Sequence, residues 1–490
     1  MSRNRILLVT AGIMLSLFLA AMESTVVATA MPTIVGQLGG LEHYSWVFSA
    51  YMLASTTTVP LYGKISDLFG RRRLYLIAMV LFLAGSVLSG LSRSMPELIA
   101  ARTLQGLGAG GILPLAFILI GEIFSLSERA RMQGFFSGVW GVSSIVGPLL
   151  GGFLVDQLSW RWVFFINLVP GIVAAALVAF AWRDQPHAHG KPSVDVAGAF
   201  LLTASVVALL LGLVEIGTPT SWVLIGASVL LFLALLWAEN RAPDPILPIH
   251  LFRDRLFSAA VAHGVLTGWA MFGSVSFFPL FVQSVLGTNA TQAGITITPM
   301  LLGWVVASII GMRLLVKVGY RLLGLVGTAL LALGAFLLTL IGAHSSQALM
   351  MVFVALMGIG MGLSIPAFLV AIQTGVERRY LGAATSMLQF SRSMGGTLGV
   401  SVMGAALSLR LIAAGLDAGQ VTSLLDPVAS LNAQISQEAA AAMANAMHSI
   451  FVIAFVAAFL GLAAAFFAPH RELEEKTQTV ESEPPLVSVD

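Results

Sequence analysis

Apolar runs of about twenty residues recur along this chain from end to end, divided by short loops in which Lys and Arg cluster. A helix rises about 1.5 Å per residue, so roughly 20 residues cross the ~30 Å hydrocarbon layer of a bilayer. Inside that layer the backbone N–H and C=O groups find no water and must be bonded within the segment itself, so each run is read as a helix. Charged and Gly/Pro clusters delimit fourteen spans, at 6–31, 45–66, 74–92, 97–120, 132–155, 162–182, 196–216, 222–238, 257–285, 291–311, 322–343, 348–371, 382–408 and 447–468. The composition agrees: 58% of residues are hydrophobic and 10% charged, against about 25% charged in ordinary soluble proteins. A water-soluble fold is excluded, and an all-α polytopic membrane protein is expected.

The charges set its direction. Twenty of the 25 Lys and Arg share one side when the N-terminus is cytoplasmic: Arg3, Arg5, Lys64, Arg71, Arg72, Arg73, Arg129, Arg131, Arg183, Lys191, Arg241, Arg253, Arg255, Arg313, Lys317, Arg321, Arg378, Arg379, Arg471 and Lys476. Arg93, Arg161 and Arg410 fall on the other side, and Arg102 and Arg392 fall within spans. The positive-inside rule then predicts a multi-pass protein of the cell membrane with both termini in the cytoplasm. On this reading the net charge of +2 reports topology, and no nucleic-acid partner is expected. Arg3, Arg5 and the "ATA" at 28–30 imitate a secretory signal, but the run is long, carries Glu23, and is followed by many more spans. The absence of Cys removes disulfides, thiolate catalysis and Cys-ligated metals.

Sliding the sequence on itself reveals a duplicated unit. Pro32 and Gly40 match Pro279 and Gly287 at offset 247; Lys64, Gly70 and Arg72 match Arg313, Gly319 and Arg321 at 249; Gly134, Gly147 and Gly151 match Gly382, Gly395 and Gly399 at 248. Gly108, Gly110 and Pro114 fit Gly360, Gly362 and Pro366 with a small insertion. Spans 1 to 6 thus correspond to spans 9 to 14, and spans 7 and 8 have no counterpart. The expected layout is a six-helix bundle over 1–183, two additional spans with their linkers over 184–255, and a second six-helix bundle over 256–470. The external stretch 409–446 is alanine-rich towards its end, which favours an extramembrane helix, and the polar tail 471–490 reads as disordered. Two such bundles enclose a cavity near the membrane midplane. The halves differ in charge: Glu23 faces Ala270, Asp67 faces Val316 and Arg102 faces roughly Val354. The first half holds the ionisable residues.

In "GKISDLFGRRR" (63–73), Gly63 and Gly70 permit a close approach and a tight turn, Asp67 is placed to meet a helix N-terminus or a neighbouring base, and the basic triplet faces anionic headgroups. This stretch resembles the loop signature of the major facilitator superfamily. "LIAARTLQGLGAG" (98–110) is similar to its fourth-helix motif and "GVSSIVGPLLGG" (141–152) to its antiporter motif on the fifth helix; "MESTVVATAMP" (22–32) and "WRWVFFIN" (160–167) resemble the fourteen-spanner drug:proton antiporter branch, with its multidrug efflux and antibiotic-resistance members. The resemblance implies a major facilitator fold. It also implies that Gly63, Asp67, Gly70, Arg71 and Arg72 form a cytoplasmic gate, Asp67 reaching the start of span 13 or Arg129 and Arg131. Gly141, Gly147, Pro148, Gly151 and Gly152 would seal one side of the cavity and limit leak; on packing grounds alone these glycines let helices approach and Pro148 bends span 5.

Charges at membrane depth are costly and tend to be functional. Glu23 is the one acid well inside a span, and Arg102 lies at a similar depth, so the two are expected to pair. Burial favours the neutral acid and an adjacent guanidinium the carboxylate, so a Glu that meets Arg102 in one state only would bind and release a proton. Glu stands here where the resembled motif usually has Asp. The cavity candidates are Trp140, Phe164, His263, Trp269, Met271, Phe277, Trp304, Met387, Gln389 and Arg392, with Met and aromatic groups suited to varied apolar guests; Arg392 either lines the cavity or bonds backbone carbonyls. His263 is read as a hydrogen-bonded packing residue rather than a second proton carrier. Glu122, Asp156 and Glu215 sit at span ends.

The expected function is export of hydrophobic or amphipathic, often cationic compounds, driven by a proton gradient, without cofactor or metal and by a monomer. A lipid or glycolipid exporter of the same fold, and a non-transporting membrane sensor or scaffold, are the alternatives. An enzyme is not expected: HExxH, paired intramembrane carboxylates, a serine–histidine arrangement and GxxxxGK[ST] are all missing.

Overall fold

A computed structural model describes residues 3–39, 44–182, 195–214, 218–242, 245–286, 290–342, 345–415 and 437–470. It is all-helical. The first half contains α1 (Arg3–Leu38), α2 (Tyr44–Phe69), α3 (Arg71–Leu91), α4 (Met95–Ile123), α5 (Leu126–Gln157), the single turn α6 (Trp162–Phe165) and α7 (Leu168–Ala181). A hairpin of α8 (Val196–Val214) and α9 (Pro219–Glu239) follows. The second half contains α10 (Arg255–Leu286), α11 (Ala290–Thr339), α12 (Gln347–Gly375), α13 (Leu381–Ala413) and α14 (Gln437–Phe466). Eleven of the described helical stretches are long and apolar enough to cross a membrane. One of these, within α11, is two helices joined at Gly319, and the more polar α2 and α5 pack among the others to complete the bundles.

Four boundaries depart from the sequence reading. Spans 10 and 11 are continuous in hydrogen bonding, because the turn between them is reduced to Gly319 (φ 77°, ψ 160°). Span 6 is broken after Phe165. Span 1 runs on to Leu38, beyond the apolar limit at Met31. The alanine-rich stretch is not a separate extramembrane helix: it forms the first turns of α14, where Met443, Ala446 and Met447 are buried in the same cluster as Ile450 and Phe451. Alanine propensity and the apolar face of the last span act on one continuous helix. The rest of the 409–446 stretch, after Gly415, and the tail 471–490 lie outside the described residues, as do Glu215, Arg183 and Lys191.

The duplicated glycines make matching contacts in the two halves. Gly70 (φ 95°, ψ 139°) and Gly319 (φ 77°, ψ 160°) both adopt positive φ with extended ψ at the bend between consecutive helices, a region essentially confined to glycine that costs an L side chain about 1–3 kcal/mol. Gly108 brings α4 against the backbone of α3 at Ala78 and Phe82, and Gly360 brings α12 against the backbone of α11 at Gly327 and Leu331. Gly151 sets α5 on α1 at Val26, and Gly399 sets α13 on α10 at Trp269. In lipid there is no hydrophobic drive between helices, so such close backbone approach supplies the packing energy.

Burial shows how the halves meet. One core cluster fills the first half and runs on into the ends of second-half helices that adjoin the basic loops, through Leu315, Tyr320, Leu323, Phe368 and Met387. The opposite ends of the second half pack as a separate cluster around Phe278, Phe281, Met357 and Phe451. The halves therefore share a core on the basic face and divide on the other. The α8–α9 hairpin lies along this junction, with α8 against both α2 and α13.

The repeated bend generates a prediction. Gly70→Ala and Gly319→Ala should each destabilise the protein by about 1–3 kcal/mol. Gly152→Ala, where an added Cβ meets nothing within 4 Å, should leave stability unchanged. Thermal unfolding in detergent of the three variants beside wild type checks this; equal midpoints for all would contradict it.

Candidate functional site

Glu23 on α1 and Arg102 on α4 meet in the interior of the first half, both 1% exposed. Arg102 Nη1 donates to Glu23 Oε1 at 2.5 Å and to Gln105 Oε1 at 2.7 Å, and Nε donates to the Val47 carbonyl at 3.4 Å. The guanidinium also stacks over the Tyr51 ring, 4.2 Å from its centroid. The other carboxylate oxygen, Oε2, accepts from Asn167 Nδ2 at 2.6 Å. Asn167 and Gln105 both donate to Ser86 Oγ, at 3.0 and 3.3 Å, and Ser86 donates to the Phe164 carbonyl at 2.8 Å. These bonds account for the broken sixth span: the interruption after Phe165 sets Asn167 between α6 and α7, pointing at Glu23, and Ser86 takes up a carbonyl at the break.

Charge at depth identified the pair, but the neutral members escaped notice. Gln105 stands one helical turn from Arg102, and Asn167 closes "WRWVFFIN"; an amide at the end of an aromatic run was the available signal. One atom of the network stands apart. Asn167 Oδ1 is buried and has no hydrogen-bond partner among the described residues.

A second cluster joins the halves on the basic face. Gly63, Asp67 and Arg71 are spaced by four and so follow one another along one face as α2 passes through the Gly70 bend into α3. Gly63 lets α2 touch α13, since a Cβ on Gly382 would fall 2.5 Å from the Gly63 carbonyl. That contact delivers Asp67, 5% exposed, to the start of α13, where its carboxylate accepts from the backbone N–H of Gly382 at 3.2 Å and of Ala383 at 3.1 Å. A carboxylate suits unpaired N–H groups and the positive end of a helix dipole. Arg71 bonds Asp67 at 3.1 Å and pairs with Glu122, which in turn pairs with Arg378 of the second half at 2.9 Å.

Arg129 does not meet Asp67. It donates to the carbonyls of Phe124 and, across the junction, of Gln373 at 3.3 Å. Arg131 is exposed and takes no part in the contact with Asp67. On the other seam α5 meets α11 without charge: Ser137 bonds Ser308 at 2.7 Å, and a Cβ on Gly141 would meet the Val305 side chain. Gly147 is buried within α5, and an added side chain at Gly152 would enter open space.

The cavity candidates separate into groups. His263, Gln389 and Arg392 line one small cavity between α10, α12 and α13. His263 Nε2 bonds Thr328 Oγ1 at 2.9 Å and its ring packs on Phe368. Met271 and Met387 are buried in the two cores, and Phe164 packs on Trp160 beneath Arg102. Trp269, Phe277 and Trp304 edge the second core, and Trp140 is half-buried. Among the described residues no three His, Cys, Asp or Glu are placed to hold a metal ion.

Comparison with known proteins agrees with this architecture. The Major Facilitator Superfamily model matches residues 13–400. The chain is 39% identical over 413 residues to "Multidrug transporter protein MdtP" of Bacillus subtilis, covering 83% of this chain and 76% of that one. It is 35% identical over 402 residues to "Multidrug resistance protein 3" of the same organism, covering 81% and 78%. Two solved structures share the fold at low identity. The human organic anion transporter MFSD10 superposes with TM-score 0.66 at 15% identity over 96% of this chain and all 100% of that one. The proton:xylose symporter XylE superposes with TM-score 0.63 at 14% identity over 96% and 97%. The chain is a multi-pass membrane transporter that belongs to the major facilitator superfamily.

Proposed function

We propose that the protein is a drug:proton antiporter of the fourteen-helix multidrug efflux branch. It exports hydrophobic or amphipathic, often cationic compounds by alternating access, as a monomer without cofactor, with the basic face and both termini in the cytoplasm. The observation that carries this reading is the buried Glu23–Arg102 pair with its amide neighbours. A lone intramembrane carboxylate beside one guanidinium has two low-energy conditions: charged and paired, or neutral and released. Asn167 supports both. Its amide N–H serves the carboxylate, and its unpartnered Oδ1 supplies an acceptor when Glu23 carries a proton. The relatives' names favour drugs over other cargo.

The seam at Asp67 supports the alternating-access part. With the halves joined there and divided on the opposite face, the chain stands in an outward-facing arrangement. Asp67 binds α13 only while that side is closed, so it biases the equilibrium without touching cargo.

Glu23→Gln keeps size and most hydrogen bonding but cannot cycle a proton. Uphill dye efflux from proteoliposomes under an imposed pH gradient should be abolished, as should substrate-induced proton release in detergent, while a neutral substrate still binds. A purely structural pair gives another result: removing one partner of a buried pair costs about 3–5 kcal/mol, so yield would fall and Arg102→Gln in the same chain would restore it. Full uphill transport by well-folded Glu23→Gln protein would overturn the assignment.

Asp67→Asn should lower transport several-fold and leave dye binding near normal. Labelling of single introduced cysteines from each side should shift towards cytoplasmic access; an unchanged ratio would exclude the latch.

A further inference from the structure

Arg102 has a carboxylate partner, but the second intramembrane arginine has none among the described residues. Arg392 lies eleven residues past the start of α13, about 16 Å along the helix and so near mid-membrane. It is half-buried, lines the cavity between α10, α12 and α13, and its guanidinium has no ion pair or hydrogen bond among the described residues. The helices of its own half offer it no acid at this depth: α10, α11, α12 and α13 contain no Asp or Glu, and α14 has only Glu438 in its first turn. A lone guanidinium at such depth calls for an anion. The cavity adds neutral groups that suit one. Gln389 is one turn from Arg392 on the same face of α13, with an amide to donate, and Gly264 lets α10 pack closely on α13 at Ser391 beside it. His263 donates through Nε2 to Thr328, whose own hydroxyl proton goes to the Gly324 carbonyl, so that nitrogen is committed within the protein. The remaining wall is apolar, formed by Ile365, Phe368 and Leu388.

We infer that this cavity, about 30 Å³, is a subsite for the oxyanion head of an amphipathic molecule, a carboxylate or its equivalent, held by Arg392 and Gln389. This deepens the transport reading and rests on it. Acidic and zwitterionic amphiphiles would then belong to the cargo range beside cationic ones, the second half supplying the positive contact and the first half the proton site. The guanidinium forms two N–H bonds to a carboxylate where an ammonium forms one, so Lys is not an equivalent replacement.

The test uses three pyrene-labelled alkyl chains alike except for their ends: a carboxylate, an alcohol and a trimethylammonium. Binding is read by tryptophan-to-pyrene energy transfer to the purified full chain in neutral detergent. Wild type should bind the carboxylate about tenfold or more tighter than the alcohol, in line with a charged hydrogen bond. Arg392→Gln should remove that preference and leave alcohol binding unchanged; Arg392→Lys should retain part of it. If Arg392→Gln does not fold, Gln389→Leu serves, with a several-fold loss for the carboxylate alone. Repeating the titration in nanodiscs of phosphatidylcholine with and without phosphatidylglycerol separates two sources of the oxyanion. Competition by phosphatidylglycerol in wild type but not in Arg392→Gln supports the site and assigns it to a lipid phosphate; no competition assigns it to cargo. Equal binding of the three probes, or an equal loss of all three on Arg392→Gln, would overturn the inference. Because these titrations need no gradient, they can succeed where proton-driven export fails, and fail where it succeeds.

Discussion

The desolvated pair of Glu23 and Arg102 is the constraint around which the first half is organised. Two opposite charges at membrane depth are tolerable only when their remaining hydrogen-bonding capacity is satisfied. Gln105 on α4, Val47 and Tyr51 on α2, and Asn167 at the break between α6 and α7 do this. The break in the sixth span serves this need by setting Asn167 at the start of α7, facing Glu23. Glu23, directly or through Arg102, thus links α1, α2, α4 and the start of α7.

The two halves share a backbone plan and differ in charge. The glycines that set helix spacing are duplicated, because close approach is a steric demand that both bundles must meet. Some loop bases are duplicated, as Lys64 with Arg313 and Arg72 with Arg321, but Glu23, Asp67 and Arg102 are not. The first half holds a carboxylate with its cation, and the second a cation without a carboxylate. The junction repeats the pattern: the α2–α13 seam is tied by Asp67 and by the chain of Arg71, Glu122 and Arg378, whereas the α5–α11 seam is held by a serine pair and small side chains.

Much of this was legible in the sequence because expensive residues are rare. Glu23 and Arg102 stood out as charges inside spans, and Asp67 as an acid among bases; the structure brings the first two together and sets the third at the start of α13. Positive-φ glycines were readable through the repeat, as Gly70 and Gly319 show. Neutral polar residues were not, since Asn167, Gln105, Ser86 and Tyr51 cost little in a helix and acquire meaning only through their neighbours. The choice between α13 and Arg129 for Asp67 also required three dimensions: Arg129 is engaged at Gln373. Methionines and aromatics were least legible, because Met271 and Met387 have the same composition in a core as in a binding cavity.

The central claim is that the proton state of Glu23 sets whether the Asp67 seam is closed. The chain has no native Cys, so spin labels can be placed directly through Arg73→Cys and Arg379→Cys, which flank that seam on the basic face. Pulsed electron resonance at alkaline pH should give one short distance for the labelled chain and a longer population once Glu23→Gln is added. Identical distance distributions with and without Glu23→Gln would contradict the account.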